Sequence, residues 1–96
     1  MNRKDAINTL VKVKPELAGR FGVTRLALFG STARDVANRE SDVDILVAFD
    51  GPATSSKYFG VQFLLEDLFG CSVDLVTEKA LRPELRTYIE QEAIYV

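Results

Sequence analysis

The sequence contains no histidine and a single cysteine, Cys71. The first absence removes histidine-based metal sites and Ser-His catalysis. The second removes any disulfide framework within the chain. Positive charge is not in excess either: 12 Lys and Arg stand against 14 Asp and Glu, a formal net charge of −2. General nucleic-acid binders carry a basic excess or stripe, so direct nucleic-acid binding is not expected, and an anion would have to be held by a local site. No apolar run approaches the ~18 residues of a membrane span. The opening "MNRKDAINTLVKVK" lacks the apolar core of a signal peptide, so a cytoplasmic location is expected. Internal repeats and low-complexity segments are also missing.

What is present is an ordinary globular balance. Of 96 residues, 47% are hydrophobic and 27% charged, which suggests one domain over residues 1–96 with one core. Apolar residues recur at helical spacing over residues 3–21, with Pro15 expected to break the run and open a second short helix. "VTRLALF", residues 23–29, reads as a strand whose apolar end marks it as central in a sheet. Gly30 turns the chain into a short helix from Ser31 to about Ala37, "NRES" is a polar loop, and Asp42–Phe49 is a second strand. A helix over 57–69 is expected to turn Val61, Leu64, Leu65 and Leu68 inward. A third strand at 71–77, a helix from Pro83 to about Glu92 and a short edge strand in "AIYV" complete the chain. The fold class is α/β (α+β).

Two of the strands carry aspartates in the same style, "SDVDILV" and "SVDLV". Side chains at i and i+2 of a strand share a face, so Asp42 and Asp44 stand together, opposite Val43, Ile45 and Val47. Like charges this close destabilise the fold unless a cation lies between them. Hard carboxylate oxygens suit Mg²⁺ or Mn²⁺. Asp74, from a neighbouring strand, would complete a site for two ions of the kind that drive displacement at phosphorus. A plainer reading has Asp42 ending a strand and Asp44 facing solvent at a sheet edge.

Gly30-Ser31 lies where a buried strand meets a helix start. Glycine permits a tight turn and close approach of a ligand, and free N–H groups at a helix start attract phosphate. Ser31 either donates to a phosphate oxygen or is simply a helix N-cap. Arg34, placed by the expected helix in its first turn, opposes the helix dipole unless a triphosphate is bound nearby.

Together these residues resemble the polymerase-β-like nucleotidyltransferase superfamily. The pattern is a strand, Gly30-Ser31, ten residues, Asp42-x-Asp44, then a third acidic strand. The stretches "LALFGSTAR", "SDVDILVAF" and "VDLVTEKALRPELRTYIEQEAIYV" are more closely similar to minimal nucleotidyltransferases (MNT), with the resemblance running from about residue 17 to 96. It implies a small mixed β-sheet with helices packed against it, and nucleotidyl transfer from an NTP. Asp42, Asp44 and Asp74 would be catalytic residues and ligands for two Mg²⁺ (or Mn²⁺) ions, with Asp74 also the base toward the acceptor hydroxyl. Gly30, Ser31 and Arg34 would bind the nucleotide.

MNT proteins pair with HEPN-type toxins as antitoxins that add AMP to a tyrosine, so a HEPN-type protein is the implied partner and ATP the implied donor. Larger superfamily members add an acceptor domain. With nothing after Val96 to build one, a protein partner is expected to complete the acceptor side. Two rival readings are a non-catalytic antitoxin that occludes its partner and a transferase acting on a small molecule such as an aminoglycoside. Assembly into a homo-oligomer stays open.

Other residues read as structural. Cys71 is a packing residue, and Tyr58, Tyr88 and Tyr95 are core or interface. Lys79, Arg82 and Arg86 either form a solvated face or reach phosphate or an acidic partner surface. Phe59, Phe63, Leu64, Leu68 and Phe69 are core, or an apolar face offered to another subunit.

Overall fold

The computed structural model describes residues 2–34 and 42–96. Helix α1 (Arg3–Phe21) begins where the Asn2 side chain accepts the Asp5 N–H at 2.8 Å, and it ends at Gly22, whose φ of 73° lets its N–H turn back to Leu17 and Ala18. The expected break at Pro15 does not occur, and α1 runs through it. Pro15 deprives the Val11 carbonyl of its donor. Both residues are exposed, so that carbonyl lies on the water side, while Leu10, Val13 and Leu17 are buried on either side of the proline and hold the two turns in line. Tertiary burial outweighs the local preference here.

Strand β1 (Val23–Phe29) leads directly into a single helical turn, α2 (Gly30–Ala33). The continuation of this helix to Ala37 and the "NRES" loop fall outside the described residues. Strand β2 (Val43–Phe49), helix α3 (Ser55–Phe69) and strand β3 (Val73–Thr77) follow. A 3₁₀ turn (Glu78–Ala80), helix α4 (Pro83–Glu92) and strand β4 (Ile94–Tyr95) complete the order. The 3₁₀ turn has no counterpart in the sequence reading.

Among the described residues the strands form one sheet in the order β3-β2-β1-β4. β1 pairs antiparallel with β2 and with β4, and β2 pairs parallel with β3, so the sheet is mixed, as expected, with β1 and β2 central. The chain end is tied in: the Val96 N–H donates to Leu26 O at 3.0 Å, and Lys14 Nζ donates to Val96 O at 2.5 Å.

Alternation then splits the sheet into two faces. One carries Leu26, Leu28, Val43, Ile45, Val47, Val73 and Leu75, packed with Leu10 and Leu17 of α1 and Val61 and Leu65 of α3 into a single core. The inward stripe of α3 is Val61, Leu65 and Phe69. Leu64 is partly buried, and Leu68, expected inward, is 48% exposed. The helix is apolar around most of its circumference, so periodicity alone did not select the buried stripe. Gly60 marks the closest approach of the two helices, since a Cβ there would overlap the Phe21 ring. No helix among the described residues is long and apolar enough to cross a membrane.

Candidate functional site

The other face of the sheet carries Asp44, in register with Phe29 of β1 on one side and Asp74 of β3 on the other. The two aspartates are therefore neighbours across a parallel strand pair, and the plainer reading of Asp44 as a sheet-edge residue does not hold: β2 is central. Asp42 immediately precedes β2 and is exposed, as is Asp74, whereas Asp44 is partly buried. The Asp44 carboxyl is pushed up from 3.8 to about 6. Burial is the largest cause, followed by the charge of Asp74, a side-chain hydrogen bond with Asp74 and the charge of Asp42, while Arg34 acts in the opposite sense. Among the described residues no three carboxylates converge into a ready-made metal cage. Asp44 and Asp74 meet, and Asp42 acts on Asp44 through its charge.

Gly30 sits directly against Asp44. Its φ is 73°, and a Cβ built on it would overlap the Asp44 carboxylate, with Asp44 Cγ only 2.9 Å away. Both the backbone conformation and the space demand glycine. The Gly-Ser turn and the D-x-D strand thus meet at one point, because β1 and β2 are hydrogen-bonded neighbours and Gly30 follows the residue paired with Asp44.

The turn itself differs from expectation in two ways. Phe29 takes the N-cap position of α2 with no side-chain hydrogen bond, so Ser31 is not a cap and lies within the turn, partly buried. Arg34 is the C-cap of α2, its N–H bound to Gly30 O at 3.2 Å, so the argument from an opposed first-turn dipole does not apply. Its Nη1 donates to both carboxylate oxygens of Glu92 at 3.1 and 3.0 Å. The Thr32 hydroxyl, between Ser31 and Arg34, is buried with no hydrogen-bond partner among the described residues.

These features bear on whether a divalent cation and a triphosphate fit. Two adjacent carboxylates supply hard oxygens, a third adds charge, and burial together with the neighbouring carboxylates raises the Asp44 carboxyl. Gly30 lies against Asp44, and the unpartnered buried Thr32 hydroxyl stands two residues further along the same turn. The donor set suits a hard cation with phosphate oxygens completing its shell.

Sequence reasoning missed Glu78. It is 5% exposed, lies 3.5 Å from Arg25 and accepts a hydrogen bond from the Tyr95 hydroxyl at 3.3 Å, and Arg25 stacks over the Tyr95 ring at 4.6 Å. This network ties β4 to the 3₁₀ turn beside a cavity of about 150 Å³ at the far end of β2 and β3 from the aspartates. Nothing in "TEKA" distinguishes a buried glutamate from an exposed one. Tyr58 and Cys71 pack against the core, as read, and the Tyr58 hydroxyl donates to Leu75 O at 2.5 Å. Arg86 pairs with Glu90 on the exposed α4 surface at 3.0 Å.

Comparison with known proteins shows the family and the fold. The family model described as "Nucleotidyltransferase domain" matches residues 10–96. The protein adenylyltransferase MntA of Thermococcus cleftensis is 40% identical over 83 residues, covering 86% of this chain and 84% of the relative. A solved structure provisionally called a minimal nucleotidyltransferase superposes with a TM-score of 0.83 at 36% identity, covering 98% of this chain and 95% of the other. The structure of a tri-AMPylated Shewanella oneidensis HEPN toxin in complex with MNT antitoxin shares the fold, with a TM-score of 0.69 at 17% identity over 97% of this chain and 70% of the other.

Proposed function

Because the chain belongs to the nucleotidyltransferase domain family and is a nucleotidyltransferase, we propose that it transfers AMP from ATP to a hydroxyl of a partner protein, as the antitoxin of a HEPN-type toxin. The observation that carries the chemical part of this reading is that Asp44 lies directly against Gly30 and is in register with Asp74 on the neighbouring strand. The partner class rests on the relatives: one is named as a protein adenylyltransferase, and a fold neighbour is an antitoxin complexed with an AMPylated toxin.

Asp42, Asp44 and Asp74 would hold the divalent metal, Mg²⁺ or Mn²⁺, as two ions when the triphosphate is present. When bound, such ions neutralise phosphate charge and make the acceptor hydroxyl a better nucleophile. The residues of the chain account for the rest. Gly30 lets the triphosphate approach the backbone, and Ser31 and Arg34 donate to its oxygens. Asp74, the more exposed of the meeting pair, accepts the proton of the acceptor hydroxyl. The acceptor oxygen then bonds to the α-phosphorus, the bond from that phosphorus to the oxygen bridging to the β-phosphate breaks, and pyrophosphate leaves. Strand placement keeps Asp44 and Asp74 at fixed separation, which a loop would not.

The test is label transfer from α-labelled ATP with Mg²⁺ to the product of the neighbouring gene, comparing wild type with Asp44→Asn. Label on the partner that disappears in the variant supports the reading. No label, with the partner bound tightly and neutralised by both proteins, would replace it with neutralisation by occlusion. Labelling of small hydroxyl acceptors alone would replace it with a small-molecule transferase.

A further inference from the structure

We infer that Glu92, the last residue of α4, is a positioning residue for the nucleotide: it holds the Arg34 guanidinium at the mouth of the Gly30 turn, where that side chain meets the triphosphate. The inference rests on the proposed nucleotide site and extends it to a residue 58 positions away in the chain.

Three observations converge on it. The backbone of Arg34 is fixed by its N–H bond to Gly30 O, so the side chain starts from a defined point beside the site. The side chain itself is 52% exposed, and a long exposed arginine samples many rotamers unless something anchors it. Glu92 supplies the anchor through both carboxylate oxygens, and its own side chain is only 23% exposed. The bond engages Nη1 alone. A guanidinium has five donors in a planar fork, so an anchor on one nitrogen orients the group without consuming its capacity for phosphate.

The location of Glu92 points the same way. A carboxylate in the last turn of a helix faces the negative end of the helix dipole, so α4 itself gains nothing from an acid there. No residue of α4 is buried, so an apolar packing role does not explain the position either. What Glu92 does contact is Arg34, whose positive charge also acts on Asp44.

The measurement is a calorimetric titration of the full chain with Mg²⁺ and a non-hydrolysable ATP analogue, for wild type, Glu92→Gln, Arg34→Gln and the double variant, with melting temperatures recorded for each. Glu92→Gln is expected to raise Kd about two- to fivefold, the scale of a partly exposed ion pair. In the Arg34→Gln background the same substitution is expected to have no further effect, and Glu92→Asp is expected to recover part of the affinity. An unchanged Kd with a lowered melting temperature would mean that the pair only docks α4, and would overturn the inference. A tighter Kd would mean that Glu92 competes with phosphate, and equal losses in both backgrounds would mean that it acts independently of Arg34. Either overturns it too. A wild type that binds no nucleotide overturns the nucleotide site itself, and this role with it, whereas a binding wild type with an indifferent Glu92→Gln overturns the positioning role alone.

Discussion

The two faces of strand β2 are built from alternate residues of the same seven, Val43–Phe49, and they are put to opposite uses. Val43, Ile45 and Val47 are at most 1% exposed and lock α1 and α3 to the sheet. Asp44, between the first two, is partly buried, and that burial, with the like charges of Asp74 and Asp42, raises its carboxyl to about 6. The first face lowers the free energy of the fold; on the second, Leu46 is buried too, but at Asp44 burial and neighbouring like charges oppose ionisation. A single-residue slip of register would exchange the two sets, so the core face also fixes the site.

The largest expected effect separates the faces by chemistry. Asp44→Asn removes the charge of a proposed metal ligand while leaving the side-chain volume nearly unchanged. Transferase activity is expected to fall about a hundred- to a thousandfold, the several kcal/mol associated with metal-assisted phosphoryl chemistry. The melting temperature is expected to stay level or rise, because the variant relieves like-charge repulsion. A variant that loses both together would mean that the carboxylate supports the fold, and the comparison would collapse.

Its mirror image is Ile45→Ala, one residue along and fully buried. Denaturant unfolding should show a loss of about 2–5 kcal/mol, from lost burial and the cavity left behind. Activity per folded molecule should change far less than in Asp44→Asn.

Gly30→Ala tests where the faces meet. Its left-handed backbone and the overlap with Asp44 predict a cost of about 1–3 kcal/mol in stability. Weaker binding of the Mg²⁺-nucleotide should accompany it, since the alanine methyl must displace the carboxylate. A variant with full affinity would show that the turn does not serve the nucleotide.

How far the sequence carries depends on the range of the interaction. Strand alternation is local, so the placement of Asp44 opposite Val43 and Ile45 was readable, and Asp74 was expected on a neighbouring strand, while the parallel direction of that pairing was not read. The helix ends at Gly22 and Gly70 were equally local, each glycine having a positive φ. Pro15 was misjudged because a short-range rule competes with burial contributed by Leu10 and Leu17 against the sheet. The face of α3 was partly misjudged because Phe59, Phe63 and Leu68 make it apolar on its exposed side as well. The Arg34–Glu92 and Arg25–Glu78 pairs left no trace in the sequence. Their partners lie 58 and 53 positions apart, and a charged residue looks the same in sequence whether its partner is water or another side chain.

The smallest expected effect concerns pH, and it sharpens the comparison most directly. Asp44 has a folded-state pKa of about 6 against 3.8 for an ordinary aspartate, so the folded chain binds the proton more tightly than the unfolded one. The contribution of this group to stability is therefore fully present below pH ~4 and is lost as pH rises through about 6, the reverse of a salt-bridged carboxylate. Comparing unfolding free energies of wild type and Asp44→Asn across pH 4 to 7 cancels the titrating groups that do not interact with Asp44. The wild type should lose stability relative to the variant over that window. Repeating the series with Mg²⁺ and nucleotide should reverse the trend above pH 6, because the ligand binds the ionised carboxylate and competes with the proton. If the two proteins track each other at every pH without ligand, Asp44 is not held among charges that oppose it. The polar face would then be no more costly to the fold than the apolar one.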